Sequence, residues 1–112
     1  MSKLAEAIAK FEGFGKPGSI PTVRNNPGDL RHGNHLSHDG LHPDDIGIAP
    51  TVADGWADLE RQLRLYASRG MTLQQAISAF APPNENDTNR YLAFVCTQLG
   101  CTADCPVSQL LA

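Results

Sequence analysis

Residues 22–50, in the middle of the chain, limit the folds that it can adopt. They contain residues typical of turns and loops, and their apolar residues lack the regular spacing of a helix. Among them, the run Asn-Asn-Pro-Gly at 25–28 is typical of a tight turn. Residues 29–32 and 45–49 predict two short strands of one hairpin, separated by a long polar loop over 33–44. Helical patterns precede and follow this region. We therefore predict an α+β fold that is mostly helical, with a small β-hairpin after the first helix.

The first helix is predicted to begin after Ser2, a typical N-cap residue, and to end near Glu12. A glycine at position 13 provides its C-terminal stop. An apolar face follows at the spacing i, i+4 and i+7, made by Leu4, Ile8 and Phe11. The prolines and glycines of 15–21 predict a loop after this helix.

Further helices are predicted after residue 50, each from a signal at its first residues. Capping residues open three of them at Thr51, at Thr72 and at Asn86 or Asp87, the first two with capping-box spacing. Pro106 is predicted at the first position of a final short helix. The apolar stripes, which we interpret as core, contain Trp56, Leu59, Leu63, Tyr66, Ile77, Phe80, Tyr91, Leu92, Val95 and Leu99. For Trp56 the alternative is stacking against a sugar ring in a saccharide cleft.

The chain has 112 residues, which fits a single domain over 1–112. No apolar run approaches the roughly 20 residues that a membrane span needs. Nine Lys and Arg against twelve Asp and Glu give a net charge of −3. We therefore expect neither a membrane nor nucleic acid as a partner. We also predict no cofactor. The first five residues lack the apolar region of a signal peptide, so synthesis in the cytoplasm is expected.

Glu12 is the first candidate for chemistry. It lies at the edge of the apolar face of the first helix and on its last turn, where the helix dipole is negative. The neighbouring Phe11 and the dipole both favour the protonated form that a general acid for glycosidic cleavage needs. A solvent-facing glutamate is the structural alternative, and most charged residues are of that kind.

Asn25 and Asn26 are the second candidates, because two adjacent amides occupy the predicted turn. Their side chains can fix the turn through hydrogen bonds to the backbone. They can equally present amides to sugar hydroxyls or to an N-acetyl group. The sequence leaves both interpretations open.

Several motifs together resemble the bacteriophage and prophage lysozyme-like proteins, which are related to the peptidoglycan-cleaving lytic transglycosylases. These motifs are Phe-Glu-Gly-Phe at 11–14, Arg-Asn-Asn-Pro-Gly-Asp-Leu-Arg at 24–31, Asp-Gly-Trp at 54–56, and Ala-Pro-Pro-Asn-Glu-Asn-Asp-Thr at 81–88 followed by Tyr91. Their order and spacing match from about Ile8 to Gly100.

The resemblance implies a lysozyme-like α+β fold and a glycosidase that cleaves the MurNAc–GlcNAc β-1,4 bond of peptidoglycan. In such proteins the glutamate that ends the first long helix is the catalytic acid, and Glu12 matches that place. A tyrosine at the place of Tyr91 lines the cleft floor near this glutamate. The candidate substrate-binding residues are Asn25, Asn26, Asp29, Glu85 and Tyr91.

The same resemblance implies a peptidoglycan strand as the partner, with a phage virion or lysis proteins as further partners. Action is then expected in the periplasm or cell wall, after phage-type or other delivery. The alternative function is a non-catalytic phage virion, structural or carbohydrate-binding protein on the same fold.

One departure from the phage lysozymes bears on mechanism. No aspartate follows Glu12 at their short spacing, since Lys-Pro-Gly occupies 16–18. This favours a one-carboxylate mechanism, in which Glu12 acts first as acid and then as base while the N-acetyl group of the substrate stabilises the cation. If hydrolysis uses two carboxylates, the candidates for the second are Asp29, Asp39 and Glu85.

Two clusters of metal-binding residue types remain. The histidines, with Asp39, Asp44 and Asp45 around them, are His32, His35, His38 and His42. Their spacing fits no zinc motif, so we interpret the segment as a solvated or cleft-edge loop and predict no metal. The cysteines, Cys96, Cys101 and Cys105, also lack a zinc spacing. They are expected as thiols or with one bridge, for which Cys101 and Cys105 are the pair considered.

Overall fold

A computed structural model describes residues 1–41, 45–84 and 86–111 and gives the bounds of the helices within them. In chain order these are α1 (Lys3–Glu12), α2 (Ile20–Val23), α3 (Val52–Ser68), α4 (Leu73–Phe80), α5 (Thr88–Leu99) and a 3₁₀ helix (Val107–Leu110). None of these described helices combines the length and apolarity needed to cross a bilayer.

The capping residues predicted from the sequence are confirmed. The side chain of Ser2 accepts a backbone N–H of α1 at 3.1 Å, and the side chains of Thr51, Thr72 and Asp87 do the same for α3, α4 and α5. Thr72 completes a capping box, since its own N–H donates to Oε1 of Gln75 at 2.9 Å. These side chains satisfy N–H groups that would have no partner within the helix, so they fix where the helices begin.

The predicted β-hairpin is wrong, and with it the α+β class. In the described part of the chain no strand forms, and between Leu30 and Ala49 a single antiparallel bridge joins Ser37 to Ile48. Each predicted strand begins with a residue in the left-handed region, Asp29 at φ 53° and Asp45 at φ 56°. That conformation takes the backbone out of the extended range that a strand needs, so no ladder begins at either point.

A buried amide takes the place of the strand pairing. Asn26 is 0% exposed, and its Nδ2 donates to the carbonyl oxygens of Leu30 at 2.8 Å and Gly47 at 2.9 Å. The N–H of Leu30 donates back to Oδ1 of Asn26 at 3.0 Å. This side chain therefore satisfies backbone groups on both sides of the region, beside one direct bond from the N–H of Gly47 to the carbonyl oxygen of Leu30 at 2.9 Å, and the region keeps an irregular path.

Two short helices differ from the sequence prediction. α2 lies where a loop was predicted, and it is opened by Ser19, whose side chain accepts the N–H of Thr22 at 3.4 Å, with Pro21 in its first turn. The final helix is of the 3₁₀ type, and Pro106 is its N-cap residue rather than its first helical residue. Both helices have four residues, too few for an apolar period to be visible in the sequence.

The core forms where α1 packs against α5 and α3, and where α4 packs against α5. Its buried side chains include Leu4, Ile8, Leu59, Leu63, Leu73, Ile77, Tyr91 and Val95. Trp56 is partly buried against this core, and its ring meets that of Phe14 edge-on at 5.4 Å. The core interpretation of the predicted apolar stripes is thus confirmed.

The irregular middle rests directly on α3 at Gly55. A Cβ atom added at Gly55 would lie 1.9 Å from the carbonyl oxygen of Asn25, so no other residue fits there without moving the backbone. The contact brings the turn at 25–28 onto the first turn of α3. It thereby sets the position of the residues that follow this turn.

Candidate functional site

A cleft of about 550 Å³ lies between the C-terminal end of α1, the segment after the 25–28 turn, the middle of α3 and the end of α4. Its lining includes Glu12, Asp29, Arg31, His32, Gln62, Tyr66, Phe80 and Asn86. One side of the cleft is therefore irregular backbone, and the other sides are helical.

Glu12 is the last residue of α1, and its carboxyl group is held by a tyrosine on α5. The hydroxyl of Tyr91 donates to Oε2 of Glu12 at 2.7 Å. Tyr91 is 1% exposed, because its ring stacks on Phe11 at 4.0 Å and meets Phe80 edge-on at 6.3 Å. A rigid aromatic cluster thus fixes the donor, and the donor fixes the carboxyl group.

The pKa of Glu12 is raised from 4.5 to about 7. Burial is the largest cause, because it disfavours the charged carboxylate. The hydrogen bond from Tyr91 acts in the opposite direction, and the negative charge of Asp29 adds to the increase. Burial also raises the pKa of Tyr91 well above its usual value, so its hydroxyl remains a donor throughout the neutral range.

Asp29 enters the cleft through an unusual backbone conformation. Its φ of 53° is left-handed, and its N–H donates to the carbonyl oxygen of Asn26 at 3.0 Å. This turn places Asp29 in the cleft lining, close enough for its charge to act on Glu12. Of the three candidates for a second carboxylate, Asp29 is the one that lies with Glu12 among the described lining residues.

The two asparagines serve the turn. Asn26 is buried with its amide committed to the backbone of Leu30 and Gly47, and Nδ2 of Asn25 donates to the carbonyl oxygen of Ala49 at 3.2 Å. Neither belongs to the described lining of the cleft. Their hydrogen bonds fix the turn through the backbone, which is one of the two interpretations that the sequence leaves open.

Of the other two carboxylate candidates, the structure describes Asp39 alone. Asp39 pairs with Nη2 of Arg24 at 3.3 Å and is not among the lining residues. A hydrogen bond from the N–H of Leu41, with help from Arg24, lowers the pKa of Asp39, so it is an ordinary ionised surface group. Glu85 lies outside the described residues.

His35 and His38 hydrogen-bond to different groups. Nδ1 of His35 lies 2.8 Å from Oδ1 of the buried Asp58, whose other oxygen accepts the N–H of His35 at 2.9 Å. The hydrogen bond to Asp58 raises the pKa of His35. Nε2 of His38 donates to the carbonyl oxygen of Arg31 at 2.6 Å, and His32 lines the cleft. His42 and Asp44 lie outside the described residues, and the remaining His, Cys, Asp and Glu side chains form no group of three suited to a metal.

Some lining residues were not predicted as site residues. Tyr66 and Phe80 were assigned to the core, which is confirmed, and they also face the cleft. Gln62 lies one turn before Tyr66 on α3 and hydrogen-bonds to it. Their i, i+4 spacing places both on one helix face, but nothing in the spacing distinguishes a face that meets a cleft from one that meets only core.

No protein-family model, curated protein or solved structure matches this chain. The family resemblance of the motifs therefore stays a prediction. The functional assignment rests on the cleft itself.

Proposed function

We propose that the chain is a glycosidase that cleaves the MurNAc–GlcNAc β-1,4 bond of peptidoglycan, with Glu12 as general acid. One observation carries the proposal. It is a carboxyl group with a pKa of about 7, fixed by a buried tyrosine inside a cleft of about 550 Å³. A glycosidase needs this combination, because its acid must keep a proton near neutral pH and deliver it at a defined point.

The raised pKa makes the proton available. With a pKa of about 7, about half of the Glu12 side chains are protonated at pH 7, compared with roughly one in 300 for a glutamic acid of ordinary pKa. Glu12 donates this proton to the glycosidic oxygen as the bond to the sugar carbon breaks. The gain in the protonated fraction is therefore about 150-fold.

Tyr91 supports both protonation states of Glu12. Its hydroxyl donates to Oε2, which leaves the other oxygen, Oε1, to carry the proton that Glu12 donates. When Glu12 has lost its proton, the same hydrogen bond stabilises the carboxylate. The carboxylate then acts as base and takes a proton from the incoming nucleophile, which is water or the 6-hydroxyl of the cleaved sugar.

The cation formed on the sugar is stabilised by the substrate and by the cleft. The N-acetyl group of the substrate supplies an oxygen to the cationic carbon, in keeping with a one-carboxylate mechanism. The negative charge of Asp29 in the same cleft adds electrostatic stabilisation. Arg31 and His32 line the cleft as well, and the guanidinium of Arg31 complements the carboxylates of the peptide stems of peptidoglycan.

The test compares release of soluble muropeptides from purified cell walls by the wild type and two variants. Glu12→Gln removes the acid while preserving the shape and an acceptor for Tyr91. Glu6→Gln, an exposed residue of the same helix, makes the same charge change outside the cleft. We expect Glu12→Gln to lose at least about 100-fold in rate, in line with the contribution of general acid catalysis, and Glu6→Gln to match the wild type.

The products separate the remaining possibilities. A 1,6-anhydro product is lighter than the hydrolysis product by one water, about 18 Da, so mass spectrometry distinguishes transglycosylation from hydrolysis. If the wild type releases no muropeptides, or if Glu12→Gln is as active as Glu6→Gln, the proposal is wrong. Binding of glycan strands without cleavage would then indicate the non-catalytic alternative.

A further inference from the structure

The three cysteines lie close together at the end of α5 and in the segment after it. Cys96 is in the last turn of α5, and Cys101 and Cys105 follow. All three are partly buried and carry free thiols. Nothing in the proposed glycosidase mechanism uses them.

The helix end brings two of the three together. Gly100 has a φ of 63°, and its N–H donates to the carbonyl oxygen of Cys96. The N–H of Cys101 donates to the same oxygen at 3.1 Å. In this type of helix end, the side chains of the two residues joined by the bond from Cys101 to Cys96 frequently make contact. After burial, the groups that raise the pKa of Cys101 are the neighbouring thiols of Cys96 and Cys105.

Cys105 contacts further groups as well. Its Sγ lies 3.8 Å from the carbonyl oxygen of Pro106 and 3.7 Å from Oε1 of Gln109, at the start of the 3₁₀ helix. The sequence suggested Cys101 and Cys105 as a pair. The backbone contacts favour Cys96 as the partner of Cys101.

We propose that Cys96 and Cys101 are a dithiol site that forms an intramolecular disulfide by exchange with a low-molecular-weight disulfide such as oxidised glutathione. The thiolate of Cys96 attacks the oxidant, forms a mixed disulfide and releases one glutathione thiol. The thiolate of Cys101 then attacks the Cys96 sulfur and releases the second. Two protein thiols are oxidised to one disulfide, and one molecule of oxidised glutathione is reduced to two thiols.

The second step is expected to control the rate. Burial raises the pKa of Cys101 to about 11, and only the thiolate is a nucleophile. Disulfide closure should therefore accelerate as the pH rises from 7 to 9. The mixed disulfide on Cys96 is the species expected to accumulate early at the lower pH.

The disulfide would act on α4 and, through α4, on the cleft. The segment after Cys101 covers the start of α4, where the N–H groups of Leu73 and Gln74 donate to the carbonyl oxygens of Cys105 and Ala103, each at 2.8 Å. The other end of α4 supplies Phe80 to the cleft. A covalent link from α5 to this segment restrains the unfolded chain, so we expect the oxidised protein to melt about 5 °C or more above the reduced protein.

The test maps the disulfide in the full chain after incubation with oxidised glutathione. Trypsin cannot separate the cysteines, since no Lys or Arg follows Arg90. Chymotrypsin cleaves after Leu99 and Asp-N cleaves before Asp104, which puts each cysteine in its own peptide. We expect the peptide of Cys96 linked to the peptide of Cys101, in monomeric protein.

Variants give the matched controls. Cys105→Ser should still lose two thiols on oxidation, and Cys101→Ser should stop at a glutathione adduct. A link between the peptides of Cys101 and Cys105, a link between two chains, or glutathione adducts alone in the wild type would each overturn the proposal. Cleavage of cell walls by the reduced protein is measured in parallel, so failure of this proposal is distinguishable from failure of the glycosidase proposal.

Discussion

The raised pKa of Glu12 predicts that the proposed catalytic acid destabilises the folded protein at neutral and alkaline pH. A carboxyl group with a pKa of 4.5 in the unfolded chain and about 7 in the fold binds its proton more tightly in the fold. Its contribution to stability is fully present below pH 4.5 and is lost as the pH rises through 7. The difference between the two pKa values corresponds to about 3 kcal/mol of the free energy of unfolding.

Glu12→Gln should remove this loss of stability at neutral and alkaline pH. Glutamine carries no charge at any pH, so burial imposes no comparable ionic cost, and its side-chain oxygen can still accept the hydrogen bond from Tyr91. We expect the variant to be close to the wild type in stability at pH 4. At pH 8.5 we expect it to be more stable by about 2–3 kcal/mol, a shift in Tm on the order of 10 °C.

The measurement is urea unfolding of wild type, Glu12→Gln and Glu6→Gln at several pH values between 4 and 9. The exposed Glu6 makes the third protein a control for the loss of one negative charge from α1. Free energies of unfolding of wild type and Glu12→Gln that stay parallel across this range would contradict a raised pKa of Glu12. An equal gain in stability of Glu6→Gln and Glu12→Gln at pH 8.5 would contradict it as well.

Two further predictions concern the partners of the site. Tyr91→Phe keeps the ring on Phe11 but removes the hydrogen bond that lowers the pKa of Glu12. The alkaline limb of the pH profile of kcat/KM should therefore move up by about one pH unit, and an unchanged limb would contradict the assigned role of Tyr91. Asn26→Ala removes the amide that satisfies the backbone of Leu30 and Gly47. It should cost about 2–4 kcal/mol in urea unfolding, whereas a cost below about 1 kcal/mol would mean that other contacts hold the turn.

The helices could be predicted from the sequence because their signals are local. Ser2, Thr51 and Thr72 cap helices through atoms no more than three residues away. The apolar spacing of α1, α3 and α5 reports directly on which face is buried. Glu12 was also indicated locally, by its place on the last turn of α1 at the edge of the apolar face, whereas its pairing with Tyr91 across 79 residues was implied only by the family resemblance.

The irregular middle could not be predicted, because its structure depends on contacts between distant residues. Whether Asp29 and Asp45 adopt extended or left-handed backbone is decided by their surroundings, since aspartate tolerates both. The burial of Asn26 depends on Gly47, 21 residues away. A sequence pattern therefore predicts the turn and the polar loop, but not that a buried side chain and a few separate backbone bonds hold this region where a ladder was expected.

The polar segment between Leu30 and Gly47 is closed at its two ends and is held on α3 by His35, which hydrogen-bonds to the buried Asp58. The segment departs after Leu30 and returns at Gly47, and the N–H of Gly47 donates to the carbonyl oxygen of Leu30 at 2.9 Å. Chain length between two joined ends changes loop-closure entropy only slowly, by about 0.6 kcal/mol for each doubling. Foreign peptides inserted at the exposed Gly40 should thus be displayed at low thermodynamic cost, with the cleft residues before Leu30 undisturbed.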